Sequence, residues 1–172
     1  GNPCSHRKAH NIYGTQMARA TYHGVKRFAY PKRPFVITRS AYAGAQRYSS
    51  SWTGDNVASW EHLWIANIQV QRMSISGMGF TGSDIGGFAE QPSGELYARW
   101  IQLGVFHPFC RTHSSGDHGD QEPWAFDEEV TNIIRKFVNL RYQLLPYLYT
   151  MFWQYIEQGI PMLKPLVYYD QD

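Results

Sequence analysis

The sequence predicts a parallel α/β fold, built like half of a (β/α)8 barrel. Short apolar runs alternate with longer segments of helical period, and the residues fit for chemistry gather in the loops that follow the runs. About four strand-helix units fit in 172 residues, where a complete barrel takes about 250 and eight strands.

The elements follow in order. Tyr13, Met17, Ala20 and Phe28 recur at helical spacing, predicting an amphipathic helix over His6 to Phe28 that ends before Pro31. Arg33-Pro34 leads into Phe35-Val36-Ile37, a β-branched run typical of a strand covered on both faces. After a loop rich in Ala, Gly and Ser, the positions Trp60, Leu63, Trp64 and Ile68 predict a helix from Val57 to about Arg72. Met73 to Phe80 reads as a strand. Ser93 as N-cap, with Glu95 in the first turn, opens a helix that runs to Gly104. Val105 to Cys110 reads as the next strand. Asp127-Glu128-Glu129 suits the positive end of a helix dipole and starts a helix with core face Val130, Ile133, Ile134, Phe137, Val138 and Leu140. Pro146 should kink or restart it, and Gly159 with Pro161 should stop it. Leu166 to Tyr169 reads as a closing strand.

Composition narrows the function. With 43% hydrophobic and 17% charged residues the chain is no disordered segment. A net charge of +2, spread thinly, gives no nucleic-acid footprint. The longest apolar stretch, Tyr147 to Ile156, falls short of the roughly 20 residues that span a bilayer. Cys4 and Cys110 form no disulfide framework and lack metal-ligand spacing, so they fix no redox compartment. The 16% aromatic content serves equally for a core or for the walls of a sugar or base site.

Four loops hold candidate residues. Asp55, in Trp52-Thr53-Gly54-Asp55-Asn56, fits a general acid beside an indole, although its spacing alone favours a plain N-cap for the helix that follows. Asp84 lies in a glycine-rich loop, where it either meets a ligand or forms a turn. Gly77, Gly79 and Gly82 satisfy a dinucleotide fingerprint that should open a helix, but the residues after it are poor helix formers, so that reading is rejected. His113 fits a hydroxyl donor or an ordinary loop histidine, with Arg111 placed to orient carboxylates; its spacing from His118 and Asp120 matches no common metal site. Trp60, Trp64, Trp100 and the aromatic series from Tyr147 to Tyr155 read as core.

These residues stand in a familiar order. His10-Asn11-x-Tyr13-Gly14, Arg33-Pro34-Phe35-Val36-Ile37-Thr38-Arg39-Ser40, Arg47-Tyr48, Trp52-Thr53-Gly54-Asp55-Asn56, Gly82-Ser83-Asp84-Ile85-Gly86-Gly87-Phe88, Arg99-Trp100-x-Gln102-Leu103-Gly104 and Pro108-Phe109-x-Arg111-x-His113 together resemble glycoside hydrolase family 31, from His10 to Leu166. The resemblance implies a retaining α-glycosidase, most often an α-glucosidase, with two carboxyl groups about 5 to 5.5 Å apart. It assigns the acid/base to Asp55 and sugar hydroxyls to Arg39 and His113. Asp84 should bind or orient polar groups, Trp52 and Phe88 line the pocket, and Arg111 supports it.

The family's nucleophile stretch, Trp-x-Asp-Met-Asn-Glu at the end of the fourth strand, is missing from the chain. The resemblance therefore implies strands five to eight of the barrel over residues 1–160, and the start of a β-sandwich over 161–172. Activity would need the N-terminal half of the barrel. Thr81-Gly82-Ser83 favours the α-glucosidase branch over α-xylosidases. Expected partners are α-linked glucosides or oligosaccharides, with no metal or organic cofactor. A transglycosylase of the same family, a non-catalytic sugar-binding protein and an inactive half-barrel are the other readings.

Overall fold

A computed structural model describes residues 3–170. The chain divides into two units, Gly1–Trp52 and Thr53–Asp172.

In the first unit, helix α1 spans His6–Phe28 as predicted, with Lys26 and Arg27 in the last turn, where cations suit the negative end of the helix dipole. The face it buries differs from the expected one. Thr15 and Ala18 are covered, whereas Tyr13, Met17 and Phe28 are exposed. The reason is close approach: a Cβ on Gly14 would lie 2.5 Å from the Ser40 carbonyl oxygen, so small residues, rather than the large apolar row, face the loop. Phe35 to Ile37 is not a full strand. It makes one parallel bridge, Ile37 to Ser50, through Ser50 N–H to Val36 O at 2.8 Å and Thr38 N–H to Ser50 O at 2.9 Å. Pro34, just upstream, has no N–H to extend the ladder.

In the second unit, α2 spans Trp60–Ile75, its first turn capped by Ser59 Oγ accepting from His62 N–H at 3.1 Å. The strand expected from Met73 to Phe80 therefore begins as helix. Short apolar runs satisfy either period, and Ser76 and Gly77 end the helix with turn bonds to Arg72, Met73 and Ser74. The ladder forms further on, at β1, Asp84–Ile85.

Helix α3, Gly94–Gly104, is capped by Ser93 as read from sequence. Val105, Phe106 and His107 then donate back into the helix end, and Pro108 has no N–H, so the strand expected at Val105 to Cys110 shrinks to β2, Arg111–Thr112. The two short strands run parallel, Asp84 opposite Arg111 and Ile85 opposite Thr112. Phe109 N–H to Thr81 O at 3.0 Å and Thr53 N–H to Gly82 O at 3.1 Å align a third segment beside them.

Helix α4, Glu128–Gln158, starts at the Asp127 cap and ends at Gly159 in the left-handed region. Pro146 does not interrupt it. A proline orphans the carbonyl four residues back, here that of exposed Tyr142, where water can take the bond. Leu166–Tyr168 is a 3-10 turn instead of a strand, closed by Tyr168 N–H to Pro165 O at 2.9 Å.

The core gathers Ile85, Leu96, Tyr97, Trp100, Ile101, Val105, Val130 and Ile134, with Ile133 and Phe137 packed against it. Trp100 is wholly buried and its indole N–H donates to Ser83 Oγ at 2.9 Å, tying α3 to the segment entering β1. Trp60, Trp64, Tyr147, Tyr149, Trp153 and Val138, expected inside, are exposed. Their helices carry more apolar residues than one core-facing stripe can use.

Candidate active site

The turn that carries Asp55 is built from its neighbours. Gly54 adopts φ 84°, Asn56 N–H closes onto Gly54 O at 3.0 Å, and Thr53 Oγ1 donates to Asn56 Oδ1 at 2.5 Å. The carbonyl of buried Asn56 accepts from Phe88 N–H at 2.7 Å and Ala89 N–H at 3.1 Å, which fixes this turn against the next loop. Asp55 itself is exposed. The N-cap reading fails, because Ser59 caps α2 four residues later.

Asp84 is fully buried at the start of β1, and its Oδ1 accepts from Arg111 Nε on β2 at 2.7 Å. The register that puts the two residues opposite each other makes the pair. Asp84 Oδ2 is buried with no hydrogen-bond partner among the described residues. Burial pushes this carboxyl above the ordinary carboxylate value. The Arg111 hydrogen bond and charge pull it back, as does His113, while Asp55 pushes it further up. Both Asp55 and His113 therefore lie within electrostatic reach of Asp84.

The bend after Asp84 needs glycine. Gly86 and Gly87 take φ of 89° and 91°, and a Cβ on either would fall 2.6 Å from the Tyr97 ring or from the Ala58 backbone nitrogen. Gln121 Nε2 donates to Gly87 O at 3.1 Å and Ser115 N–H to Phe88 O at 2.9 Å. The half-buried Phe88 ring stands 5.3 Å from the exposed His113 ring. Arg111 lies over the Phe109 ring at 5.1 Å. The second unit thus brings together Asp55, Asp84, Phe88, Arg111 and His113.

Arg39 and Trp52 belong to the first unit, Arg39 exposed on the loop after the Ile37 bridge and Trp52 half-buried at the end of the Ser50-Ser51 segment.

One supporting residue escaped the sequence reading. Arg141 on α4 donates to the carbonyls of Val105 at 2.8 Å, His107 at 2.5 Å and Pro108 at 2.8 Å, holding the turn that leads into β2. Its signal was present: Arg141 follows Val130, Ile134 and Phe137 at spacings of four, three and four, a cation on the core-facing stripe.

The chain matches the model of the glycosyl hydrolases family 31 TIM-barrel domain over residues 1–151. It is 46% identical to "Alpha-glucosidase 2" of Bacillus thermoamyloliquefaciens over 98% of its own length and 21% of that protein's. It is also 46% identical to "Glucosidase 2 subunit alpha" of Saccharomyces cerevisiae, over 96% of the chain and 18% of the relative. A crystal structure of glucosidase II alpha subunit described as alpha3-Glc2-bound superimposes with a TM-score of 0.91 at 41% identity, covering 95% of the chain and 18% of that structure. The chain thus spans about a fifth of the length of these relatives. It belongs to glycosyl hydrolases family 31 and is a fragment of that family's TIM barrel.

Proposed function

We propose that the chain supplies strands five to eight of the barrel of a retaining α-glycosidase acting on terminal α-linked glucose, with residues 161–172 beginning a β-sandwich. Asp55 is the general acid/base. It gives its proton to the departing glycosidic oxygen while a carboxylate from outside this chain bonds to the anomeric carbon, then takes a proton from the water that hydrolyses the glycosyl ester. Arg39 and His113 bind sugar hydroxyls, Asp84 binds or orients polar groups with Arg111 fixing it, and Trp52 and Phe88 line the subsite.

One observation carries this reading: Asp55 stands exposed on a fixed turn, outside the helix it could have capped, and both it and His113 lie within electrostatic reach of Asp84. The α-glucosidase names of the relatives, and the glucosidase II alpha subunit structure described as alpha3-Glc2-bound, support the substrate class.

The 172 residues alone should not turn over p-nitrophenyl α-glucoside. Rates like those of an ordinary glycosidase would overturn the division of roles. Co-expressed with the first half of a family 31 barrel, Asp55→Ala should lose much more rate on glucosides with poor leaving groups than on activated ones. Equal losses on both would refute the acid role.

A further inference from the structure

We propose that His6 and His10, on the first two turns of α1, chelate a divalent late transition ion. The two histidines are four residues apart on one helix face, and both are exposed. His10 Nδ1 lies 3.2 Å from His6 Nε2, with the rings nearly perpendicular at 88°. The Tyr13 ring packs edge-on against His6 at 5.9 Å and limits its swing.

The spacing suits one ion held by both rings. Two nitrogens 3.2 Å apart, each about 2.05 Å from a metal, subtend about 100° at it, between the right angle of square-planar copper and the tetrahedral angle of zinc. Without an ion, one ring must donate to the other. With an ion between them, both nitrogens present lone pairs, and small rotations of two exposed side chains suffice. Imidazole ligands select copper, nickel and zinc over magnesium or calcium.

Two features oppose binding and set its strength. The helix N-terminus carries positive partial charge, and Arg7 and Lys8 lie between the two histidines in sequence. No third His, Cys, Asp or Glu completes a metal-binding group among the described residues, so water fills the other positions. The affinity should therefore be about micromolar, well below that of closed structural sites.

The test titrates copper(II), zinc(II) and magnesium(II) separately into the 172-residue chain by calorimetry, with helicity of each variant checked by circular dichroism. One copper ion per chain should bind with a Kd of about micromolar order, tighter than zinc. Magnesium should not bind. His6→Ala and His10→Ala should each weaken copper by about tenfold or more, with helicity retained, since both side chains are exposed. Cys4→Ser should leave copper affinity unchanged. Copper binding weaker than about 0.1 mM in the unsubstituted chain, or an affinity in His10→Ala within about threefold of it, overturns the proposal, the second by placing the ion elsewhere.

Discussion

A single buried histidine shows how burial becomes pH dependence. His107 sits in the turn between α3 and β2, almost wholly enclosed, with neither ring nitrogen hydrogen-bonded among the described residues. Burial, helped by the charge of Arg141, lowers its pKa from 6.5 to about 4. The unfolded chain therefore takes up the proton first as pH falls. The stability of the neutral ring is fully present above about 6.5, and is lost progressively down to about 4, roughly 3 kcal/mol in all. Denaturant titrations at pH 7 and pH 4.5 should show this loss. In His107→Leu the slope over that interval should flatten, and an unchanged slope would show that other groups carry the acid sensitivity.

Residue-level chemistry was legible where the local sequence fixes the geometry. Gly54 and the Gly86-Gly87 pair announced the bends they make. The cap-or-acid ambiguity at Asp55 needed the true cap, Ser59, to be seen. The Asp84–Arg111 pair, 27 positions apart, depends on strand register, although each residue had been singled out.

At the scale of elements, α3 and α4 were readable because caps and period agree, while the extent of α1 was legible but not the face it buries. The strands were not. Each is only two residues long and sits downstream of the apolar run taken for it, since those runs finish helices and turns before the ladder starts. Arg141 joins two such elements by three hydrogen bonds to the carbonyls that precede β2. Arg141→Met keeps the apolar stem but orphans those acceptors, and should cost about 2–4 kcal/mol by chemical denaturation. Arg141→Lys should recover part of the loss, because an ammonium donates but cannot span all three carbonyls in one plane. A methionine variant as stable as the parent chain would make the contact incidental.

For the whole molecule, large apolar side chains on α1 and α4, together with Trp60, Trp64, Leu166 and Val167, remain exposed. Surface of this kind promotes association. The isolated chain should sediment as a concentration-dependent mixture larger than 19.9 kDa and bind a hydrophobic dye, and supplying the first half of a family 31 barrel should suppress both. A sharp monomer with no dye binding would count against the half-barrel assignment.

The Arg141 clasp has one more consequence, for motion. A backbone opening that frees Val105 to Pro108 must break all three guanidinium contacts at once, so the turn cannot fray by itself. Solvent deuterium should reach the amides beside these carbonyls and those in the middle of α4 at matching rates, as one opening event. The segment from Arg111 to His113 would then be held in place by a helix from the far side of the core.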